Sequence, residues 1–326
     1  MQAILCRELG SAELLRVEEV TDPAPQQGEV LIDVYAAGLN FPDTLAISGK
    51  YQVKPDLPFV PGGEAAGVVI ELGPGVDNIR VGDRVMSAGV TGAFAEKLCR
   101  PAAELTLMPD SMSFASAAGF LVTYGTSYYA LKQRAQLKPG ETLLVLGAAG
   151  GVGLAAVDLG SAMGAHVIAA ASSAEKLRFA ARAGAEMSIN YSHQSVKDET
   201  KLLTDRRGAD VVYDPVGGEL SEQALRATAW GGRFLVIGFA AGTIPKIPLN
   251  LPLLKNNSIV GVLYGGWISH KPAEARENIR ELLAMHQAGK IQPLISHEFA
   301  LEQYAEAFAT LTERRAKGKL IFRLKS

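Results

Sequence analysis

The stretch TLLVLGAAGGVGLAAVDLG, Thr142 to Gly160, joins an apolar run, a cluster of small residues and a second, alanine-rich apolar run. That order reads as strand, tight turn and helix. A dinucleotide fingerprint needs small residues at its first, third and sixth positions: for the turn, for close backbone approach to a pyrophosphate, and for helix-on-strand packing. Here they are Ala148, Gly150 and Gly153. With Ala149, Gly151 and Val152 between them, they would offer the unpaired N–H groups of a helix N-terminus to an anion. Alanine in the first position weakens the motif by itself, and a close-packed glycine turn without ligand is the competing reading.

The end of the next strand selects the dinucleotide. Sites for NAD place an acidic residue about 20 residues beyond the loop, on the ribose hydroxyls. In HVIAAASSAEK that place holds Ala171, followed by Ser172 and Ser173, and the first acid is Glu175. A carboxylate would repel a 2′-phosphate, whereas small hydroxyls and a nearby lysine favour one. Lys176 is the expected ion-pair donor, against the alternative of a solvated helix lysine, and Tyr191 is a possible second wall. The expected cofactor is NADPH.

These residues need a sheet to hold them. From Thr142 onward, short apolar strands alternate with helical segments: TLLVLG, HVIAAA, MSIN, ADVVYDP, RFLVIGF and SIVGVLY. Such alternation implies a parallel sheet covered by helices, and six strands make a complete dinucleotide-binding fold. Gly238, Phe239 and Ala240 follow RFLVI at the carboxyl end of a strand, where ligands of parallel sheets sit. Phe239 would cover a cofactor or act as a core aromatic, and Asp214 before Pro215 is expected to fix the turn after its strand.

The first 120 residues are different. EVLIDVY alternates, and turns such as GPGVDN and VGDR separate short valine-rich runs, which predicts an irregular β-rich domain. After Tyr264 come two helical patterns and a last strand, KLIFRL, which has no place in the six-strand count and is expected to return to the first domain. The expected division is 1–123, 124–264 and a returning segment 265–326.

With 326 residues, 48% hydrophobic content and a net charge of −2, the chain suits a soluble globular protein with a small-molecule ligand. No basic stripe points to nucleic acid, and no apolar run is long enough to span a bilayer. Without a leader pattern the expected location is the cytoplasm. Cys6 and Cys99 have no CxxC neighbour, and the five histidines show no metal-ligand spacing, so no metal site is expected.

The motifs AGLNFPDT, PFVPGGEAAGVV, VGDRV, AAGGVGLAA, SSAEK and KGKLIF together resemble the zinc-independent quinone oxidoreductase branch of the medium-chain dehydrogenase/reductases. The resemblance spans nearly the whole chain. It implies a GroES-like β-rich catalytic domain, a Rossmann domain and an active site in the cleft between them. Zinc-containing relatives carry a cysteine near Asn40 and a histidine at Gly63. Neither is present, and Glu64 alone does not make a catalytic zinc site, which takes three protein ligands and an open position. Without a Lewis acid to stabilise an alkoxide, the expected acceptors are already electron-poor: quinones and α,β-unsaturated carbonyls.

By the same resemblance, Asn40 faces the nicotinamide end of the cleft, where its amide would bind substrate or cofactor; a cap before Phe41-Pro42 is the alternative. Asp43 supports that loop and is a weaker catalytic candidate. The phenol of Tyr51 is the best available donor to a developing oxyanion, unless it is an ordinary loop tyrosine. Thr126 matches a threonine that touches the nicotinamide ribose or phosphate, and Val262 and Leu263 match backbone contacts to the carboxamide. Arg315 and Lys319 are basic residues placed to reach the cofactor phosphates.

The expectation is therefore an NADPH:quinone oxidoreductase. Enoyl-thioester or alkenal reduction is the enzymatic alternative, and an NADPH-binding structural or RNA-interacting protein is the non-enzymatic one. The apolar segment IPLNLPLLKNNSIVGVLYGG supplies an edge strand that needs covering, which predicts a homodimer.

Overall fold

Residues 1–325 are described in the computed structural model. The chain divides into two units, residues 1–122 with 295–326, and residues 123–294. The segment 265–294, expected within the returning part, belongs to the second unit. Its helix Pro272–Gln287 is tied there by Asn278, whose amide pairs with Gln133 on both sides.

The first unit is built on the strand Glu29–Leu39, buried along most of its length. It pairs antiparallel with Glu64–Leu72, with Lys97–Pro101 and with the closing strand Lys319–Arg323. The sheet continues through Arg84–Ala88 on one side and ends at Ile295–Phe299 on the other. Phe94, Phe308 and Phe322 fill its core, with the rings of Phe94 and Phe322 edge to face at 4.8 Å. Two pieces of chain far apart in sequence thus share one sheet. Leu39 pairs with Leu320, so the end of the long strand lies beside the start of the last one.

The second unit holds six parallel strands in the order Met187–Asn190, His166–Ala171, Thr142–Leu146, Ala209–Asp214, Thr228–Val236, Ser258–Gly261. In chain order this is 3-2-1-4-5-6, the doubly wound arrangement in which ligands gather at the carboxyl ends of the strands. Every residue of Thr142–Leu146 is buried, as a central parallel strand requires. The outermost strand, Ser258–Gly261, is largely exposed.

Candidate functional site

In the second unit, Thr142–Leu146 runs into the loop 147–150 and the helix Gly151–Ala162. The left-handed residue of the turn is Gly147, with φ +56°, one place before the expected first position. That is why Ala148 is tolerated: its side chain is buried and its N–H bonds the Ala170 carbonyl at 3.1 Å. At Gly153 a Cβ would lie 2.3 Å from the Gly147 oxygen, so only glycine lets the helix sit this close to the turn. Gly150 is the N-cap and provides no side chain, and a Cβ there would meet only the Gly147 oxygen, at 3.4 Å. The helix N-terminus at Gly151 and Val152 is therefore open to an anion, while the Gly150 N–H is taken by the Gly147 carbonyl at 2.9 Å and Ala149 is buried behind it. The Ser127 hydroxyl, which also meets the Tyr213 phenol at 2.9 Å, pins the first turn by donating to the Val152 carbonyl at 2.9 Å.

The residues expected at the 2′-phosphate come together. Lys176 Nζ donates to Ser172 Oγ at 3.1 Å, and Ser192 Oγ donates to the Ser172 carbonyl at 2.8 Å. Tyr191 begins the turn after Met187–Asn190, its N–H on the Ala171 carbonyl at 3.1 Å. Ser173 is the N-cap of Ala174–Arg182 and accepts the Lys176 N–H at 3.3 Å, so its hydroxyl serves the helix. A hydroxyl and an ammonium at the strand end, with alanine at 171 where a diol-binding site would place its acid, suit a phosphate better than a diol.

Gly238, Phe239 and Ala240 leave the carboxyl end of Thr228–Val236. Phe239 packs over Gly217, where a Cβ would lie 3.0 Å from its ring. Asp214 holds that turn: it accepts the N–H groups of Val216 and Gly217 at 2.8 and 2.9 Å and the Ser221 hydroxyl at 2.5 Å, and burial pushes its carboxyl up. Val262 donates its N–H to the Val236 carbonyl at 3.1 Å, and Leu263 beside it is exposed. Thr126 is half-buried on the helix Leu121–Tyr128, between the buried Gly125 and Ser127, and its hydroxyl has no partner among the described residues.

The first unit contains a polar cluster around Asn40. The strand Glu29–Leu39 ends there and the helix Phe41–Ile47 begins, with Pro42 in its first turn. Asn40 is the N-cap, but the capping contact runs in reverse: Asp43 Oδ2 accepts the Asn40 N–H at 2.7 Å. The Gly63 N–H also faces Asp43, so one carboxylate lies between the turn at Asn40 and the residue before Glu64. Burial raises the Asp43 carboxyl to about 7, against the lowering effect of those N–H groups and of Lys319. Tyr51 is half-buried, its phenol pushed up by burial and by the charge of Asp43, and its hydroxyl has no partner among the described residues.

Asn40 is held on every side. Its Nδ2 donates to the Gly38 carbonyl at 3.2 Å and to Glu64 Oε2 at 3.1 Å, and its Oδ1 accepts from Lys319 Nζ at 2.6 Å. Both amide hydrogens are thus engaged within the protein. Lys319 Nζ also bonds Glu64 Oε2 at 2.8 Å, while Glu64 Oε1 takes the Val122 N–H at 2.9 Å. This pair is inside the fold, with side-chain exposures of 5% for Lys319 and 0% for Glu64.

The placement of Lys319 at the cofactor phosphates is therefore wrong. Its ammonium is enclosed by a carboxylate and an amide of the first unit, and moving it to a phosphate would leave Glu64 buried and unpaired. Arg315 is engaged by Glu313 at 2.8 Å and by Thr310 Oγ1 at 3.2 Å. Glu64 had a sequence signal, a lone acid opening the apolar strand EAAGVV, which demands a cation once buried. Nothing local identified that cation, 255 residues away. Among the described residues no three His, Cys, Asp or Glu side chains gather into a metal-binding group. With Glu64 committed to Lys319, the residues at this place do not fit a catalytic zinc.

Comparisons with known proteins agree with both units. The alcohol dehydrogenase GroES-like domain matches residues 26–110, and the zinc-binding dehydrogenase family matches 151–284. The quinone oxidoreductase-like protein 2 homolog of Nematostella vectensis is 41% identical, over 99% of this chain and 89% of its own. Among solved structures, Escherichia coli quinone oxidoreductase complexed with NADPH superposes with a TM-score of 0.93 at 30% identity, covering 99% of this chain and 100% of that one. The quinone oxidoreductase of Thermus thermophilus, also solved with NADPH, gives 0.86 at 34% identity, covering 99% and 100%. A polar cluster with an internal cation, an open glycine-loop helix and relatives of matching length lead to one conclusion: the chain belongs to the quinone oxidoreductase family of the medium-chain dehydrogenase/reductases.

Proposed function

We propose that the protein is an NADPH-dependent reductase of quinones or other α,β-unsaturated carbonyls and that it works without zinc. The observation that carries the cofactor reading is the Lys176–Ser172 contact at the carboxyl end of His166–Ala171, where an NAD site would hold an acid. The N–H groups of Gly151 and Val152 meet the pyrophosphate. Ser172 and Lys176 meet the 2′-phosphate, with Tyr191 beside them. Phe239, the backbone of Val262 and Leu263, and Thr126 position the nicotinamide end. NADPH, when bound, supplies the hydride.

The acceptor needs no Lewis acid, because conjugation spreads the charge that arrives with the hydride. The hydroxyl of Tyr51, unengaged by other described protein groups, donates a hydrogen bond to the developing oxyanion. Asn40 and Asp43 keep the loop that carries Tyr51 in place. The exposed apolar side chains of Trp230, Leu253, Ile259 and Leu263, on or beside the outermost strand, support pairing of two copies through that edge.

The test follows loss of NADPH absorbance, with NADH in parallel, against quinones, enones and enoyl thioesters. Reduction of quinones or enones by NADPH, with NADH at least about tenfold poorer, is expected for one lost charge-assisted contact set. Equal use of NADH would overturn the cofactor reading. Turnover of enoyl thioesters alone would overturn the acceptor reading.

A further inference from the structure

Lys319 is a cation that the reduction just described does not use. It lies within the first unit against Asn40 and Glu64, and two glycines make its path. A Cβ on Gly38 would come within 2.8 Å of its Cε and 3.0 Å of Glu64 Oε2, and a Cβ on Gly119 within 2.7 Å of its Cγ. The last strand enters the sheet beside the end of Glu29–Leu39, with Leu320 opposite Leu39, which brings residue 319 to residue 40.

An asparagine amide can flip by half a turn at little steric cost, and hydrogen-bond partners alone decide which end points where. Here the ammonium fixes Oδ1 at 2.6 Å, while Glu64 Oε2 and the Gly38 carbonyl fix Nδ2 at 3.1 and 3.2 Å. Glu64 is the common partner of the ammonium and the amide, and its other oxygen holds the Val122 N–H. A buried carboxylate facing an amide without a cation would have no means of choosing the amide's direction or meeting its own charge.

We propose that Lys319 is a positioning residue for the reduction: gripped by Glu64, its buried ammonium sets the orientation of the Asn40 amide and so the geometry of the loop that carries Tyr51. This rests on the reading of residues 40–51 as the acceptor side of the site. It gives an internal cation the place that a metal's ligand set would otherwise need, and makes it a fixed part of the fold.

The experiment compares wild type, Lys319→Met and the double variant Lys319→Met/Glu64→Gln for thermal midpoint, NADPH affinity, and kcat with a quinone acceptor. Lys319→Met lowers the thermal midpoint, and the double variant, which leaves no unpaired buried charge, recovers most of it. In both, kcat stays about 10- to 100-fold below wild type, as a small misplacement of a site group requires, with NADPH affinity within about twofold. A double variant whose kcat recovers together with its thermal midpoint, or a Lys319→Met enzyme with wild-type kcat, would overturn the proposal. If Lys319→Met does not fold, the double variant carries the test. A wild type that reduces no quinone or enone instead contradicts the functional reading, and then the Asn40 side-chain amide signal in 15N-labelled protein decides about Lys319 alone. That signal shifts in the double variant; an unmoved signal would overturn the positioning role.

Discussion

The glycine cradle and the polar cluster around Asn40 are assembled in opposite ways. The cradle is local: Gly147, Gly150, Gly153, Ser172 and Lys176 lie within 30 residues, on two consecutive strand-to-helix turns. The cluster is distant: Asn40, Glu64 and Lys319 come from three strand ends of one sheet, and only the return of the chain completes it. The cradle has few side chains and offers backbone N–H groups; the cluster joins a buried ion pair to a half-buried amide. A loop that must admit a ligand stays open and small, whereas a cluster that must keep its shape is closed and fully partnered.

The largest expected effect breaks the cluster. Lys319→Met leaves Glu64 buried without its cation and lowers unfolding free energy by about 3–5 kcal/mol in chemical denaturation, whereas the double variant with Glu64→Gln restores most of that loss. If the single variant is as stable as wild type, the ion pair does not hold the cluster.

Asp43 gives the cluster a pH dependence. Its carboxyl rises to about 7 in the folded protein from 3.8, through burial first. The native state therefore binds a proton that the unfolded chain has released, so the contribution of this group is fully present below about pH 4 and is lost as pH rises through about 7. A rise of that size corresponds to roughly 4 kcal/mol at most. Asp43 faces Lys319, Glu64 and Tyr51. In Asp43→Asn that part of the decline between pH 4.5 and 7.5 disappears. Parallel stability curves for variant and wild type would show that Asp43 titrates as in water.

In the cradle the effects are smaller and fall on the ligand. Gly153→Ala pushes a Cβ to 2.3 Å from the Gly147 oxygen, which costs about 1–3 kcal/mol of stability and displaces the loop. NADPH titration should show weakened binding with no new preference for NADH. Lys176→Ala removes one charge-assisted contact, about 1.5–3 kcal/mol, from NADPH alone. NADH affinity stays as it was, and an equal loss for both nucleotides would remove Lys176 from the 2′-phosphate.

The same contrast governs what the sequence alone makes legible. The parallel sheet shows in its strand rhythm, and the Ser172–Lys176 pair follows from a short turn that leads from the strand end into the next helix. Even within the cradle one assignment moved: the left-handed turn lies at Gly147, so the alanine at 148 is no defect. Ser173 has the same composition signal as Ser172 but spends its hydroxyl as an N-cap, a difference set by one residue of phase. In the cluster, Asn40 and Asp43 were legible as a pair of polar residues at a turn, but not which of them caps it. Lys319 looked like one more basic residue in ERRAKGKL. Only the register between Lys319–Arg323 and Glu29–Leu39 turns it inward. The segment 265–294 does not show its unit in the sequence for a similar reason: the contacts of Asn278 with Gln133, which hold it to the second unit, span 145 residues.

The central claim, that a local cradle for NADPH serves an acceptor site whose cation is a lysine, is tested most directly by one rate. Initial NADPH oxidation with a quinone acceptor is measured before and after exhaustive treatment with a strong zinc chelator. Reduction at the same rate in both is predicted. Loss of activity on chelation, with recovery on adding zinc, would contradict it.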